Sequence, residues 1–300
     1  MKKLIVVLLF VFLGFAILFA GFVITALVMR NGIDSLSFGL SDYEYKGAES
    51  YSQGDASISA NIARIDIDWI SGNIIVKAGD EVSFYEQSNE TISDDMTLRY
   101  LVEGDTLTIK YCKSGRYDAN EMVSKDLHIT LDASTLEHLK LDSISADISI
   151  DGISPDRFEV ETTSGDIKIT GCDSCDILDA ESISGNIEIN IGNSARVDLD
   201  NVSGLVDVNG DNIGSLSIET VSGDTALFIR GSLSGLEFES VSGDLSLYLP
   251  SNSSFDLEFE STSGSFRSEH PALVRGDRYI FGEGGPRYEA DTVSGDVKIF

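Results

Sequence analysis

Residues 161–170 read ETTSGDIKIT, two short alternating runs hinged on Ser164-Gly165-Asp166. Near copies follow: ESISGNIEIN at 181–190, ETVSGDTALF at 219–228, ESVSGDLSLY at 239–248 and DTVSGDVKIF at 291–300. With each copy's serine as position zero, the series is Ser145, Ser164, Ser184, Ser203, Ser222, Ser242, Ser263 and Ser294, at spacings of 19, 20, 19, 19, 20, 21 and 31 residues. A recurring period of this size marks a stacked repeat, and the pattern inside each copy decides whether the stack is helical or β.

That pattern is strict alternation. Positions −6 and −4 are Leu139 and Leu141, Phe158 and Val160, Leu178 and Ala180, Val197 and Leu199, continuing to Tyr288 and Ala290. Positions +3 and +5 are Ile148 and Ile150, Ile167 and Ile169, Ile187 and Ile189, Val206 and Val208, with weaker copies at Thr225–Leu227 and Phe266–Ser268. Period two is the strand signature. The inward parity changes between −4 and +3, so the chain turns a corner at the serine. The glycines at +1, Gly165, Gly185, Gly204, Gly223, Gly243, Gly264 and Gly295, are expected to make that corner by adopting positive φ; Ala146 is the one departure. Small polar residues at −2 (Ser143, Thr162, Ser182, Asn201, Thr220, Ser240, Ser261, Thr292) fall on the inward parity and are expected to cap the apolar interior with hydrogen bonds. The fold class is therefore all-β, a β-solenoid of coils of about 20 residues.

The flanks differ. Lys2 and Lys3 precede Leu4–Met29, a run of 26 uncharged residues. At ~1.5 Å per residue this run exceeds the ~30 Å needed to span a bilayer, and it is longer than the ~7–15 apolar residues of a cleaved signal. It reads as one transmembrane helix, a signal anchor over 4–29, with residues 1–3 as a cytoplasmic tip, because flanking lysines stay inside. The chain is then a single-pass cell-membrane protein with its C-terminal body extracellular. Residues 30–60 read as a juxtamembrane spacer. Residues 61–138 contain a lone early copy, Ser71-Gly72-Asn73, and a hairpin through Glu103-Gly104-Asp105, and read as an N-terminal β cap; residues 139–300 read as the solenoid repeats. The long last gap, with Pro271, Gly276 and GEGG, reads as a looped-out hairpin before the last rung.

Charge points to partners. The formal net charge is −29, and no acid precedes Asp34. Removing Lys2, Lys3 and Arg30 leaves 18 basic against 50 acidic residues, a net of −32, beyond residue 30. Such a body repels nucleic acid and anionic membrane surfaces. The acids are also ordered. At −5 stand Lys140, Glu159, Asp179, Asp198, Ser217, Glu237, Glu258 and Glu289; at −3 stand Asp142, Glu161, Glu181, Asp200, Glu219, Glu239, Glu260 and Asp291. Stacking makes these two columns on one face, whereas the +4 and +6 positions, such as Lys168 and Thr170 or Glu188 and Asn190, are mixed. The candidate cation-binding stripe is Glu161, Glu181, Asp200, Glu219, Glu239 and Glu260. Solvation and defence against sheet-to-sheet aggregation is the competing account.

Signs of catalysis are absent. His128, His138 and His270 have no metal-ligand spacing, and there is neither a hydrolase elbow nor a phosphate-binding glycine loop. No cofactor is called for. The acid at +2 invites comparison with a calcium ladder, but Asn186, Leu205 and Ser265 replace it in three copies. Cys172 and Cys175 form a C-x-x-C inside the β array, far from Cys112; a structural disulfide or two free thiols fit that setting better than a redox enzyme.

The recurring SGDI-type corner, the β lead-in and the closing GEGG…ADTVSGDVKIF resemble the bacterial adhesin-like β-strand-repeat family over about residues 60–300. The resemblance implies a cell-envelope protein whose relatives are encoded beside regulators of envelope stress. It transfers no catalytic residues. Two binding readings follow: an acidic face that engages a cationic peptide, a divalent cation or an envelope regulatory protein, and a surface adhesin that contacts glycan or protein through Phe228, Tyr248 and Phe300. A carbohydrate-active β-helix enzyme is the remote third.

Overall fold

A computed structural model describes residues 40–118 and 122–300. The run Leu4–Met29, and with it the expected anchor, lies outside the described residues. Among those described, no helix is long and apolar enough to cross a membrane. Among the described residues one short 3-10 turn, Ala48–Ser50, interrupts an otherwise all-β structure.

The repeats stack as parallel rungs in the register expected. On one side His138–Ser143 pairs with Arg157–Thr162, which pairs with Ile177–Ser182, and on through Arg196–Asn201, Leu216–Thr220 and Leu236–Ser240. On the other side Ile148–Asp151 pairs with Ile167–Thr170, followed by Ile187, Val206, Thr225 and Leu245 and the residues after each. Long strands such as Ile167–Ser182 carry the second side of one rung, a far corner and the first side of the next. The far corners add inward residues of their own, among them Cys172, Cys175, Ile191, Ile213 and Leu233. The alternating positions fill the interior: Leu139, Leu141, Phe158, Val160, Leu178, Val197, Leu216 and Phe238 are all fully buried. Each such side chain contributes about 1.5–3 kcal/mol relative to exposure, which is what drives the coil to close.

The corner glycines have a different cause from the one expected. Of the seven, only Gly204 lies in the positive-φ region, at +152°. A Cβ on Gly185, Gly223, Gly243, Gly264 or Gly295 would stand closer than 3.0 Å to the carbonyl oxygen of the glycine in the rung below. The column is glycine because backbones stack there with no room for a side chain. The hydrogen bonds around it follow a repeating scheme. The −2 side chain accepts the glycine N–H, as in Ser182 from Gly185 (2.9 Å) and Ser240 from Gly243 (2.7 Å). The serine hydroxyl donates to the rung below, as in Ser222 to Val202 O (3.3 Å). The +2 carboxylate accepts the next rung's backbone N–H, as in Asp166 from Asn186 (2.7 Å) and Asp244 from Asp296 (2.8 Å). The acid of Ser-Gly-Asp is a strut between rungs.

Both ends depart from expectation. Arg64–Lys77 pairs in register with His138–Asp151, Ser71 opposite Ser145, so the early copy is a full rung and the pairing crosses the expected 138/139 boundary. Below it, Thr106–Lys110 and Leu127–Asp132 make a further rung. There Lys125 occupies the glycine position: its carbonyl oxygen fills the space below Gly72. Its ammonium, buried at the end of the core, reaches Glu86 (2.5 Å), Tyr111 O (2.5 Å) and Met96 O, over the rings of Tyr111 and Trp69. Nor are the described residues before 61 a free spacer. Leu40–Tyr43 pairs with Gly115–Asp118, and Ala56–Ile58 with Val82–Phe84.

At the far end the rungs are out of chain order. The last segment, Arg287–Thr292 with Val297–Ile299, lies between Leu236–Tyr248 and Phe255–Ser268, pairing in parallel with both. The expected hairpin is present as Ala272–Arg275 with Arg278–Phe281, and it adds to the end of the stack against Phe255–Glu258.

Candidate functional site

The acidic columns exist as registered ladders. At −3 the neighbours run Asp68, Asp142, Glu161, Glu181, Asp200, Glu219, Glu239, Asp291, Glu260; Asp291 enters between Glu239 and Glu260 because of the inserted rung. At −5 they run Asp66, Lys140, Glu159, Asp179, Asp198, Ser217, Glu237, Glu289, Glu258.

The two columns are electrostatically unequal, and residues outside the repeat pattern make them so. One step further out, at −7, stand Arg64, His138, Arg157, Arg196 and Arg287. Arg157 donates to Glu159 (2.5 Å) and Asp179 (2.6 Å), Arg196 pairs with Asp198, and Arg287 with Glu289 (2.7 Å) and Glu258 (3.0 Å). The −5 column is thereby partly neutralised: Glu258 and Glu289 share one arginine, and burial and Asp198 still raise Asp179 despite Arg157. The −3 column has bases only at one end, where Lys110 meets Asp68 (3.2 Å) and Lys140 meets Asp142 (3.1 Å) and Glu161 (3.9 Å). Among the described residues no basic side chain pairs with Glu181, Asp200, Glu219, Glu239, Asp291 or Glu260. The arginine signal was available by extending the register one outward position.

Burial and stacking a rung apart without counter-charge hold several of these carboxyls above the usual carboxylate range. Burial, then the charges of Glu161, Asp200 and Asp179, pushes Glu181 up to about 8. Burial followed by Glu219, Asp198 and Asp179 takes Asp200 to about 7, and burial followed by Glu219 and Glu237 does the same to Glu239. Asp291 rises to about 6 for the same reasons, and Glu219 is raised by burial and Glu237. Glu159 goes the other way: Arg157 and Lys140 outweigh its burial and lower it.

Beside this column lies an apolar one. Position −1 carries Ile144, Ile183, Val202, Val221, Val241 and Val293, half-exposed along the corner. A shallow cleft of about 230 Å³ opens between Arg157, Glu159, Glu161, Asp179 and Glu181. On the opposite face Phe228, Tyr248 and Phe300 form a ladder, ring centroids 4.3 and 4.6 Å apart and ring planes nearly parallel. Those rings cover one another's faces and offer edges to solvent. The three cysteines are free and buried. Among the described residues no three His, Cys, Asp or Glu side chains converge to hold a metal ion.

Comparisons with known proteins bear on the fold. Solved structures similar to this chain include a candidate adhesin of Bacteroides fragilis (12% identity, 83% of this chain and 97% of that one, TM-score 0.42). Others are a candidate lipid-binding protein of Parabacteroides distasonis (16%, 82% and 96%, TM-score 0.48) and a candidate adhesin of Parabacteroides merdae (10%, 86% and 98%, TM-score 0.38). None of the curated proteins compared matches. A family model, Toastrack DUF4097, matches residues 62–300, so the register of Ser-Gly-Asp corners has its owner: the chain belongs to the Toastrack DUF4097 family.

Proposed function

We propose that this protein is a membrane-anchored, outward-facing and non-enzymatic module of the cell envelope that binds cationic partners through the −3 carboxylate column. The observation that carries the reading is the contrast between the columns. Arginines at −7 partly neutralise −5 and leave Glu181, Asp200, Glu219, Glu239 and Asp291 unpaired. A face selected only for solubility has no need of that division. The adjoining apolar corner suits a basic peptide with hydrophobic side chains better than a bare ion. Because several members are protonated near neutrality, an arriving cation expels protons, and affinity rises with pH through about 7–8.

The test uses full-length protein in detergent with polylysine as probe. The triple variant Glu181→Gln, Asp200→Asn, Glu219→Gln is expected to weaken binding and flatten its salt dependence. Glu188→Gln with Asp207→Asn on the other face should change it much less. Equal losses from both faces reduce the column to a contributor of net charge and end the proposal.

A further inference from the structure

At the end of the stack remote from residues 40–132, the strand Ala272–Arg275 is bonded to Arg278–Phe281 on one edge only. Its other edge meets no strand among the described residues. Leu273 and Val274 are 55% and 57% exposed. Successive residues of a strand point to opposite sides, so both faces are open at Leu273 and Val274, while Ala272 at the start of the strand packs against the core. The hairpin closes through the two residues Gly276 and Asp277, with Arg275 opposite Arg278. In such a hairpin the closing pair is hydrogen-bonded and the pattern alternates, which turns the N–H and C=O groups of Ala272 and Val274 outward.

We infer that this edge is a self-association site, pairing antiparallel with the same strand of a second copy. Three observations choose that occupant. A free backbone edge needs another one, and along the sides of the stack the strands are already bonded to rungs above and below. The body beyond residue 30 repels its own kind, with 18 basic against 50 acidic residues, a net of −32. The hairpin Ala272–Phe281 itself does not share that charge: Arg275 and Arg278 stand against Asp277, two minus one, or +1. Two such hairpins therefore meet with less like-charge cost than two acidic faces. Finally, the strand is self-complementary about Leu273. With Leu273 opposite Leu273 of the partner copy, Ala272 and Val274 exchange backbone hydrogen bonds on both sides of a two-fold axis.

Such a pair sets two stacks end to end, with their N-terminal ends facing away from each other. It joins molecules rooted on opposed surfaces, and does not join neighbours on one surface. Four residues a side lie well below the ~800 Å² per partner of a stable complex, so one contact is weak and many act together. The inference stands independently of the acidic column.

The test is directed cross-linking of the full chain in lipid vesicles. Leu273→Cys places thiols across a non-hydrogen-bonded pair, where Cβ separations of about 4.5–5.5 Å bring them near disulfide range. The native cysteines are buried, which keeps the background low. Mild oxidation should yield covalent dimer at least about tenfold above a Tyr85→Cys control at the other end of the stack. Adding Val274→Pro, which removes an outward N–H, should return the yield to the control level. Equal yields at 273 and 85, or yields indifferent to Val274→Pro, overturn the pairing.

Discussion

The carbonyl oxygen of Gly223 occupies the space that a Cβ on Gly243 would need. The same relation repeats from rung to rung, and it separates two explanations of why glycine recurs at the corner. A positive-φ requirement would be met in part by asparagine, whereas a backbone stacked on backbone excludes every side chain alike. Gly243→Asn is therefore expected to destabilise at least as much as Gly243→Ala, each by roughly 1–3 kcal/mol or more. Denaturant midpoints of the two variants decide it, and a milder asparagine would restore the conformational account.

Stability should fall as pH rises from about 4 to 8. Glu181, Asp200, Glu239 and Asp291 keep protons in the folded stack at pH values where the unfolded chain has lost them. The folded state therefore binds more protons, and the stability this confers, fully present below the unfolded pKa near 4, is lost through the folded values of about 6–8. A drop in Tm on the order of 5 °C across the window is expected. Glu181→Gln with Asp200→Asn and Glu239→Gln should flatten the slope; an unchanged slope places the protons elsewhere.

Arg157→Gln should act in opposite directions on stability and binding. It removes the guanidinium from Glu159 and Asp179, partly exposed pairs worth about 1 kcal/mol together. It also leaves Asp179 without its counter-charge beside the −3 column, while Glu159 keeps Lys140 (3.5 Å), so polylysine should bind more tightly. Unfolding curves and polylysine titrations on one preparation check both signs.

At the N-terminal end, Lys125→Met leaves the Glu86 carboxylate buried without its cation and should cost about 3–5 kcal/mol. Adding Glu86→Gln removes that charge while keeping the acceptor for the Leu98 N–H (3.0 Å), and should recover most of the loss. A double-mutant cycle by denaturation measures the coupling. Additive losses would show that the two groups do not stabilise each other.

The alternating runs at −6, −4, +3 and +5 announced the rungs because a solenoid repeats its contacts at a constant chain interval; burial of Leu178 and Ile187 follows directly. The acidic columns were legible for the same reason. What was not legible lacks that interval. Lys125 belongs to no copy of the corner, and its partner Glu86 is 39 residues away. The −7 arginines alternate with Ile177, Ser215 and Gly235, so no column of like residues stands out. The glycine column read correctly by position and wrongly by cause, since close approach and positive φ select the same residue. The order of the final rungs was hidden because the Ser263 and Ser294 copies both carry the glycine corner; their one difference, Ser265 where the other has Asp296, leaves the Ser263 rung without a carboxylate strut to offer a further rung.

That inserted rung also imposes a history on the molecule. Synthesis proceeds from the N-terminus, so Phe255–Ser268 leaves the ribosome before the residues that will separate it from Leu236–Tyr248. Until Arg287–Ile299 arrives, the earlier rung either waits unstacked or settles on a seat that it must then vacate. Both seats present a glycine corner, a serine donor and an aspartate strut, so the premature arrangement is a close imitation of the finished one. Residues 287–299 act as a keystone: this end of the stack can be completed only once they have been made, however early the rung they separate was ready.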